Sequence, residues 1–432
     1  MIVRPQMHFT LLFIVMLVNA AGNTALQSVL PALGRQLEVA DSAVAIAFSV
    51  SALLWVIAAP FWANRSDRHG RRAMVLLGLV GFFVSLALCG LFLMAGINRW
   101  ISPIAAFGAF VVARMIYGAF GSASPPAVQA IVAGHTAPEE RTRALSLLAS
   151  AFGLGTILGP AFAPYLVLGA VGPVQIGLSG PAFVFAAIGL VLLIAVARLL
   201  PRDDPAQAHG AAISYPSVGG QGAGASITAA TADRAEPVGY FDKRIRPWII
   251  AGLVAGHGQA MVGQTMGFLI IDRLALPPQE ALQPTGLVLM MGAGSALLAQ
   301  WGIIPILNLS PRPMLLIGAV LSAAGCAMIG LADSFYAIAL GYALAALGFG
   351  FARPAFTAGS SLAVGPHSQG SVAGKVTSIN GAAFVLGPSI GVGLYQLWRP
   401  LPYLAAAGAL LLLLVYALVR FSRAPAPPAS PA

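Results

Sequence analysis

Charge is what this sequence has least of. Only 8% of its 432 residues are Asp, Glu, Lys or Arg, against about 25% in an ordinary soluble protein. A water-soluble fold cannot be covered with so few charges, so a soluble enzyme is excluded. The same scarcity, beside 58% hydrophobic residues, excludes disorder for the bulk of the chain. Cysteine is nearly missing too. Cys89 and Cys326 both fall inside apolar runs, which argues against a disulfide framework or a thiolate metal site. The sequence offers no metal-ligand cluster, nucleophile–base pair or phosphate-binding loop, so neither an enzyme nor a cofactor is predicted. The net charge of +10 does not point to nucleic acid, because the basic residues sit in short segments between apolar runs.

Apolar runs are what the chain has instead. A membrane helix needs about 20 apolar residues. Twelve runs qualify: 9–30, 42–63, 73–96, 103–133, 144–168, 181–200, 247–271, 285–307, 313–332, 336–364, 375–397 and 402–421. The fourth and tenth exceed one span, which predicts tilt or kinks. Arg4 and Asn19-Ala20-Ala21-Gly22 give the first run some likeness to a cleaved signal. The apolar character continues past that point, so it is read as an uncleaved helix. With the N-terminus placed in the cytoplasm, 17 of the 23 Lys and Arg residues fall inside and 4 outside. This bias predicts cytoplasmic termini. Arg-rich, Lys-poor usage and short loops suit a bacterial inner membrane, with the lipid bilayer as partner and a monomeric chain.

The expected organisation is an all-α membrane protein of twelve transmembrane helices in two six-helix, pseudo-symmetric halves. Residues 1–200 form the first half and 247–421 the second. Residues 201–246 are polar and rich in Gly, Ala and Ser, which predicts a mostly disordered cytoplasmic linker. Residues 422–432 form a cytoplasmic tail. A shift of 228 places Pro126-Ala127 on Pro354-Ala355, Ser150 on Ser378, Gly153 on Gly381 and Gly159-Pro160 on Gly387-Pro388. Near the start, a shift of 236 places Leu17-Val18 on Leu253-Val254. Two such repeats, with a site between them, are the plan of many secondary transporters.

Asp67-Arg68-His69-Gly70-Arg71-Arg72, between the second and third runs, is the sharpest motif. It reads as a short cytoplasmic turn on Gly70. Asp67 can pair with a helix N-terminus or an arginine, a contact able to form and break between two states. Topology alone would also explain the arginines. Glu139, Glu140 and Arg141 follow in the next cytoplasmic segment, where the acids can meet Arg71 or Arg72. In the fourth run, Arg114 and Tyr117-Gly118 place a cation inside a span, which demands a partner or a wet cavity. In the fifth, Gly155 and Gly159-Pro160 allow close helix approach and a bend, with Gly387-Pro388 as the repeat equivalent.

These motifs resemble those of the major facilitator superfamily. Residues 63–72 match its loop pattern Gly-x-x-x-Asp-Arg-x-Gly-Arg-Arg except at Ala63, and Arg114 and Gly118 match its Arg-x-x-Gln-Gly pattern with Tyr117 at the glutamine. Gly155 and Gly159-Pro160 resemble the motif of the drug:proton antiporter branch, the tetracycline and bicyclomycin kind, with Ala163-Pro164 where its trailing glycine pair would stand. The resemblance implies the major facilitator fold, a cytoplasmic gate at residues 67–72, proton linkage at Arg114, and efflux of small, fairly apolar compounds by proton antiport. It implies a small-molecule substrate and protons as partners.

Candidate cavity residues emerge from polarity within spans. Asn19, Asn23 and Gln27 share one helix face; Gln259, Gln264, Arg353 and Asn380 join them, as does Tyr117. No acid falls within a span, and the first run carries Asn19 and Asn23 where many relatives of this kind have an acid. His257, the histidine well inside a span, and Asp272 at a helix end are the coupling candidates. Arg114 and Arg353 also fit a second expectation, transport of a metabolite such as an organic anion.

Overall fold

The computed structural model describes residues 5–136, 138–202, 238–364 and 368–421. Most of the predicted linker 201–246 and the tail 422–432 lie outside the described residues. Twelve long helices account for nearly all of the rest. The first six are α1 (Pro5–Gln36), α2 (Asp41–His69), α3 (Arg71–Ile97), α4 (Pro103–Gly134), α5 (Pro138–Phe162) and α6 (Gly180–Leu199). The second six are α7 (Arg246–Leu274), α8 (Leu282–Leu307), α9 (Pro311–Leu331), α10 (Phe335–Leu362), α11 (Gln369–Leu397) and α12 (Leu401–Phe421). Eleven are long and apolar enough to cross a membrane. The other, α7, has the length but is diluted by His257, Gln259, Gln264 and Thr265.

The helices pair alike in the two halves. In the first, α1 packs on α5, α3 on α4 and α6, and α2 on α4; in the second, α7 packs on α11, α9 on α10 and α12, and α8 on α10. The halves meet where α2 packs on α11 and α5 on α8, two contacts that exchange under the repeat. Close packing uses small residues, because apolar side chains gain nothing by leaving lipid for protein. A Cβ on Gly155 or Gly159 would strike the backbone of α1, at Leu17 and Ala21 respectively. On α11, a Cβ on Gly387 would lie 2.6 Å from Ala260 of α7. The outer faces are apolar and open to lipid, as at Val191 and Leu412. A further stretch of the repeat aligns α3 with α9 at a shift of 237: Gly81 with Gly318, Ser85 with Ser322 and Cys89 with Cys326. Both cysteines are fully buried.

Three local expectations are corrected. The short turn expected over residues 67–72 narrows to Gly70 itself: α2 continues through His69 and α3 starts at Arg71. Gly70 alone separates them, at φ 92° and ψ 143°, a conformation that residues with a side chain rarely adopt. Glu139, Glu140 and Arg141 stand in the first turns of α5 rather than in a loop. The fifth helix spans 138–162 instead of 144–168 because its first turns are charged and escape an apolar window. After Phe162 the chain forms a 3₁₀ turn and a small antiparallel hairpin, Leu168–Val171 with Val174–Gly177, turning on Gly172 at φ 58°.

The long fourth helix is kinked as its length predicts. Gly121–Ala123 forms a 3₁₀ turn before Pro125-Pro126, which cannot donate backbone hydrogen bonds to the preceding turn. In α8 the break is a π-helical segment, Leu298–Ile303. Residues 238–245 are ordered. The Val238 N–H donates to Ser371 Oγ at 3.0 Å, and Lys375 lies over the Tyr240 ring at 4.9 Å.

Candidate functional site

A cavity of about 120 Å³ lies between the halves. The N-terminal half lines it with Thr24, Gln27 and Ser28 of α1 and Thr156 and Pro160 of α5. The C-terminal half adds Gln259 and Gln264 of α7, Tyr342 and Phe349 of α10, and Phe384 and Pro388 of α11. Each half thus contributes neutral polar groups and a proline, and the second adds the aromatic surface. Gln27 Nε2 donates to Gln264 Oε1 at 3.1 Å, a hydrogen bond across the cavity from one half to the other. Gln264 is buried, and its own Nε2 has no acceptor among the described residues.

The polar face of α1 divides. Gln27 reaches the cavity, whereas Asn19 and Asn23 turn toward α4. Tyr117 OH donates to Asn19 Oδ1 at 3.1 Å, and Arg114 Nη2 donates to Asn23 Oδ1 at 2.7 Å. The Arg114 guanidinium lies between two rings, 5.1 Å from the centre of Phe48 and 5.0 Å from that of Tyr117. Stacking on aromatic faces compensates part of the cost of burying a cation. Asn19, Tyr117 and Arg114 therefore form a network inside the N-terminal half, and neither Asn19, Asn23 nor Tyr117 lines the cavity.

Arg353 and Asn380 also stand behind the cavity wall rather than in it. Arg353 is 7% exposed, and its Nε, Nη1 and Nη2 have no acceptor among the described residues. Its guanidinium carbon lies 5.8 Å from the ring centre of Phe384, which does line the cavity. His257 is bound locally: its Nδ1 is 2.8 Å from the Leu253 carbonyl in the preceding turn of α7.

Asp272 belongs to a cluster at the end of the bundle remote from Gly70. Arg35, in the last turn of α1, donates to both oxygens of Asp41 at 2.7 and 2.6 Å. It also donates to both oxygens of Asp272 at 3.4 and 3.3 Å. Tyr395 OH donates to Asp272 Oδ2 at 2.8 Å, and Arg399 Nε lies 3.6 Å from the same oxygen. Arg35–Asp272 is the ion pair that joins the halves among the described residues. Sequence reasoning named Asp272 but passed over Arg35, Asp41 and Tyr395. The available signal was the repeat itself, since the shift of 236 brings Arg35 to within one residue of Asp272.

At the opposite end, Arg71 and Arg72 of the 67–72 segment bind their own half. Arg71 Nη1 donates to the Ala130 carbonyl of α4 at 2.8 Å, and Arg72 Nη2 donates to the Ala197 carbonyl of α6 at 2.5 Å. The side chains of Asp67, Arg68, Glu139 and Arg141 lie outside the described residues; Glu140 is exposed.

The family profile described as Major Facilitator Superfamily matches residues 12–309 and 301–432. Over 175 residues the chain is 26% identical to multidrug resistance protein 2 of Bacillus subtilis (strain 168), covering 40% of this chain and 39% of that one. Over 187 residues it is 28% identical to the class B tetracycline resistance protein of Escherichia coli, covering 42% and 41%. The aligned segments thus span about two fifths of these relatives. The crystal structure of the human organic anion transporter MFSD10 superposes with a TM-score of 0.65 at 20% identity, over 96% of this chain and all of that one. At that identity the likeness concerns the fold.

Proposed function

The chain belongs to the Major Facilitator Superfamily, and from that membership we propose that it carries a small organic anion, a metabolite, across a bacterial cytoplasmic membrane. Membership makes it an integral membrane protein and a secondary transporter of small molecules rather than an enzyme. The observation that supports an anionic cargo is the sign of the buried charge. No carboxylate lines the cavity among the described residues, and the charged side chains buried away from the helix ends are Arg114 and Arg353. A cationic drug in this cavity would find no counter-ion in its wall, while the buried charges behind that wall are cations.

In this reading the two halves rock about the cavity. The bias of Lys and Arg places both termini inside, so the Arg35–Asp272 cluster closes the outer end. The 67–72 segment, with Glu139, Glu140 and Arg141, gates the inner end. Asp272 is the coupling carboxylate in place of His257. It faces Arg35 from α1, Tyr395 from α11 and Arg399 beyond it, and protonation weakens its hold on all three. The unit is a monomer.

The test is a purified chain in proteoliposomes under an imposed pH gradient. Lumenal pH is followed while organic anions, lipophilic cations and neutral antibiotics are added in turn. Proton movement with organic anions is expected. A second reading, proton-driven export of apolar drugs, is favoured by Pro160 in the cavity wall, part of the segment resembling drug antiporters, and by the names of the curated relatives. Movement with neutral or cationic drugs and none with anions would replace the first reading by the second.

A further inference from the structure

Resting on the anion reading, we propose that Arg353, Asn380 and Phe384 form the subsite that holds the charged end of the substrate, and that this substrate is a monocarboxylate with an apolar body.

The argument starts from the cost of the arginine. A guanidinium within a membrane-spanning helix requires an acceptor, a ring or water. Arg353 has the ring of Phe384 at 5.8 Å, near the limit of a cation–π contact. Its Nε, Nη1 and Nη2 lack acceptors among the described residues, although it is 93% buried. Arg114 differs in degree: its Nε and Nη1 also lack acceptors among the described residues, but its Nη2 donates to Asn23 and two rings lie about 5 Å from it. Asn380 stands one helical turn before Phe384 on the same face of α11. It is 4% exposed, and its Nδ2 has no acceptor among the described residues. Donors without acceptors therefore flank Phe384 from two helices, Arg353 of α10 beside its ring and Asn380 one turn before it on α11, and that ring is itself part of the cavity wall.

Donor geometry selects the ligand. A planar guanidinium offers parallel N–H groups that match the two oxygens of a carboxylate, and an amide N–H adds a further bond. One cation behind the Phe384 part of the wall neutralises one negative charge. The wall itself carries no charge: Val262, Leu289 and Phe349 are apolar, and Gln259 and Tyr342 are neutral. Dicarboxylates and phosphate esters would bury a charge without a partner, whereas a single carboxylate on an aromatic or aliphatic body would not.

The experiment uses the full chain in phosphatidylcholine vesicles, free of anionic lipid. Benzoate is the probe, and benzamide is its neutral isostere. Quenching of intrinsic tryptophan fluorescence reads binding, and counterflow of labelled benzoate reads transport. Benzoate is expected to bind at least tenfold more tightly than benzamide. Arg353→Gln should abolish that preference, and Arg353→Lys should restore part of it. Asn380→Leu should weaken benzoate several-fold while benzamide is unaffected. The benzoate–benzamide comparison needs no variant, so a misfolded mutant does not remove the test. Unchanged benzoate affinity in folded Arg353→Gln overturns the subsite and leaves anion transport standing. Exchange of dicarboxylates without benzoate overturns the monocarboxylate class. If no organic anion binds or moves, both the subsite and the transport reading fail.

Discussion

Replacing Asp272 by Asn should open the end of the bundle that Arg35 closes. The variant keeps the shape of the side chain and a hydrogen bond from Tyr395, but removes the charge that draws Arg35 across from the other half. The loss is smaller than a full buried ion pair. Arg35 keeps its tighter pair with Asp41, at 2.6 Å against 3.3 Å to Asp272, and its side chain is 34% exposed. A hydrogen bond to a charged partner contributes about 1.5–3 kcal/mol. Discounting for length and solvent leaves about 1–1.5 kcal/mol for the contact between halves, a shift of roughly tenfold in the balance of states. Accessibility reads that balance directly. Cys89 and Cys326 are fully buried and can be replaced by alanine. A single Ser28→Cys then places a thiol on the cavity wall. Labelling by a membrane-impermeant maleimide applied at the Arg35 end should be roughly tenfold faster with Asp272→Asn. Tyr395→Phe, which spares the ion pair, should give a smaller increase. Labelling unchanged within a factor of two, in folded protein, would refute the closing role of Asp272.

Four further outcomes are expected. Gly159→Val drives methyl groups into Ala21 and Thr24 of α1, and should lower the melting temperature or the folded yield in detergent, by an overpacking penalty of about 1–3 kcal/mol. Gly70→Ala forces a side chain into φ 92°, at about 1–3 kcal/mol, read as a lower melting temperature with insertion intact. Asp67→Asn should slow transport several-fold while leaving membrane insertion unchanged, and normal rates in folded protein would contradict the gate. His257→Ala, which gives up only a bond to its own helix among those described, should retain transport driven by a pH gradient, whereas Asp272→Asn should lose the response to that gradient.

Much of the fold is legible in the sequence because lipid enforces a simple code. A span must be apolar and about 20 residues long, and eleven of the twelve helices meet that demand; α7 has the length but is diluted by its polar residues. The code weakens where helices leave the bilayer. The charged first turns of α5 and the motif at Asp67–His69 are helical, yet composition reads them as loops. Cys89 and Cys326 look like isolated residues until α3 and α9 are set at a shift of 237. The candidate site is less legible, for a geometric reason. Spacing shows that Asn19, Asn23 and Gln27 share a face, but a helix in a bundle has several neighbours along one face. Two of the three serve α4, and only Gln27 crosses to the other half. The ring beneath Arg353 comes from Phe384, an apolar residue that no scan for polar groups would select.

Two hydrogen-bonded pairs between α1 and α7 share one number: Gln27 and Gln264 are 237 residues apart, and so are Arg35 and Asp272. That separation is within one residue of the shift relating the two helices. Each residue therefore meets almost its own counterpart, as happens beside a two-fold axis. In a symmetric pair of identical chains, such a position admits only a side chain that complements itself. Glutamine does, since its amide both donates and accepts. Arginine does not; two copies would repel. Joining the halves in one chain lifts that restriction. At one level the pair remains Gln with Gln, and at the other the halves carry opposite charges. Arg35 and Asp41 on one side, and Asp272 and Arg399 on the other, each sum to zero. The halves can part there with every charge still matched.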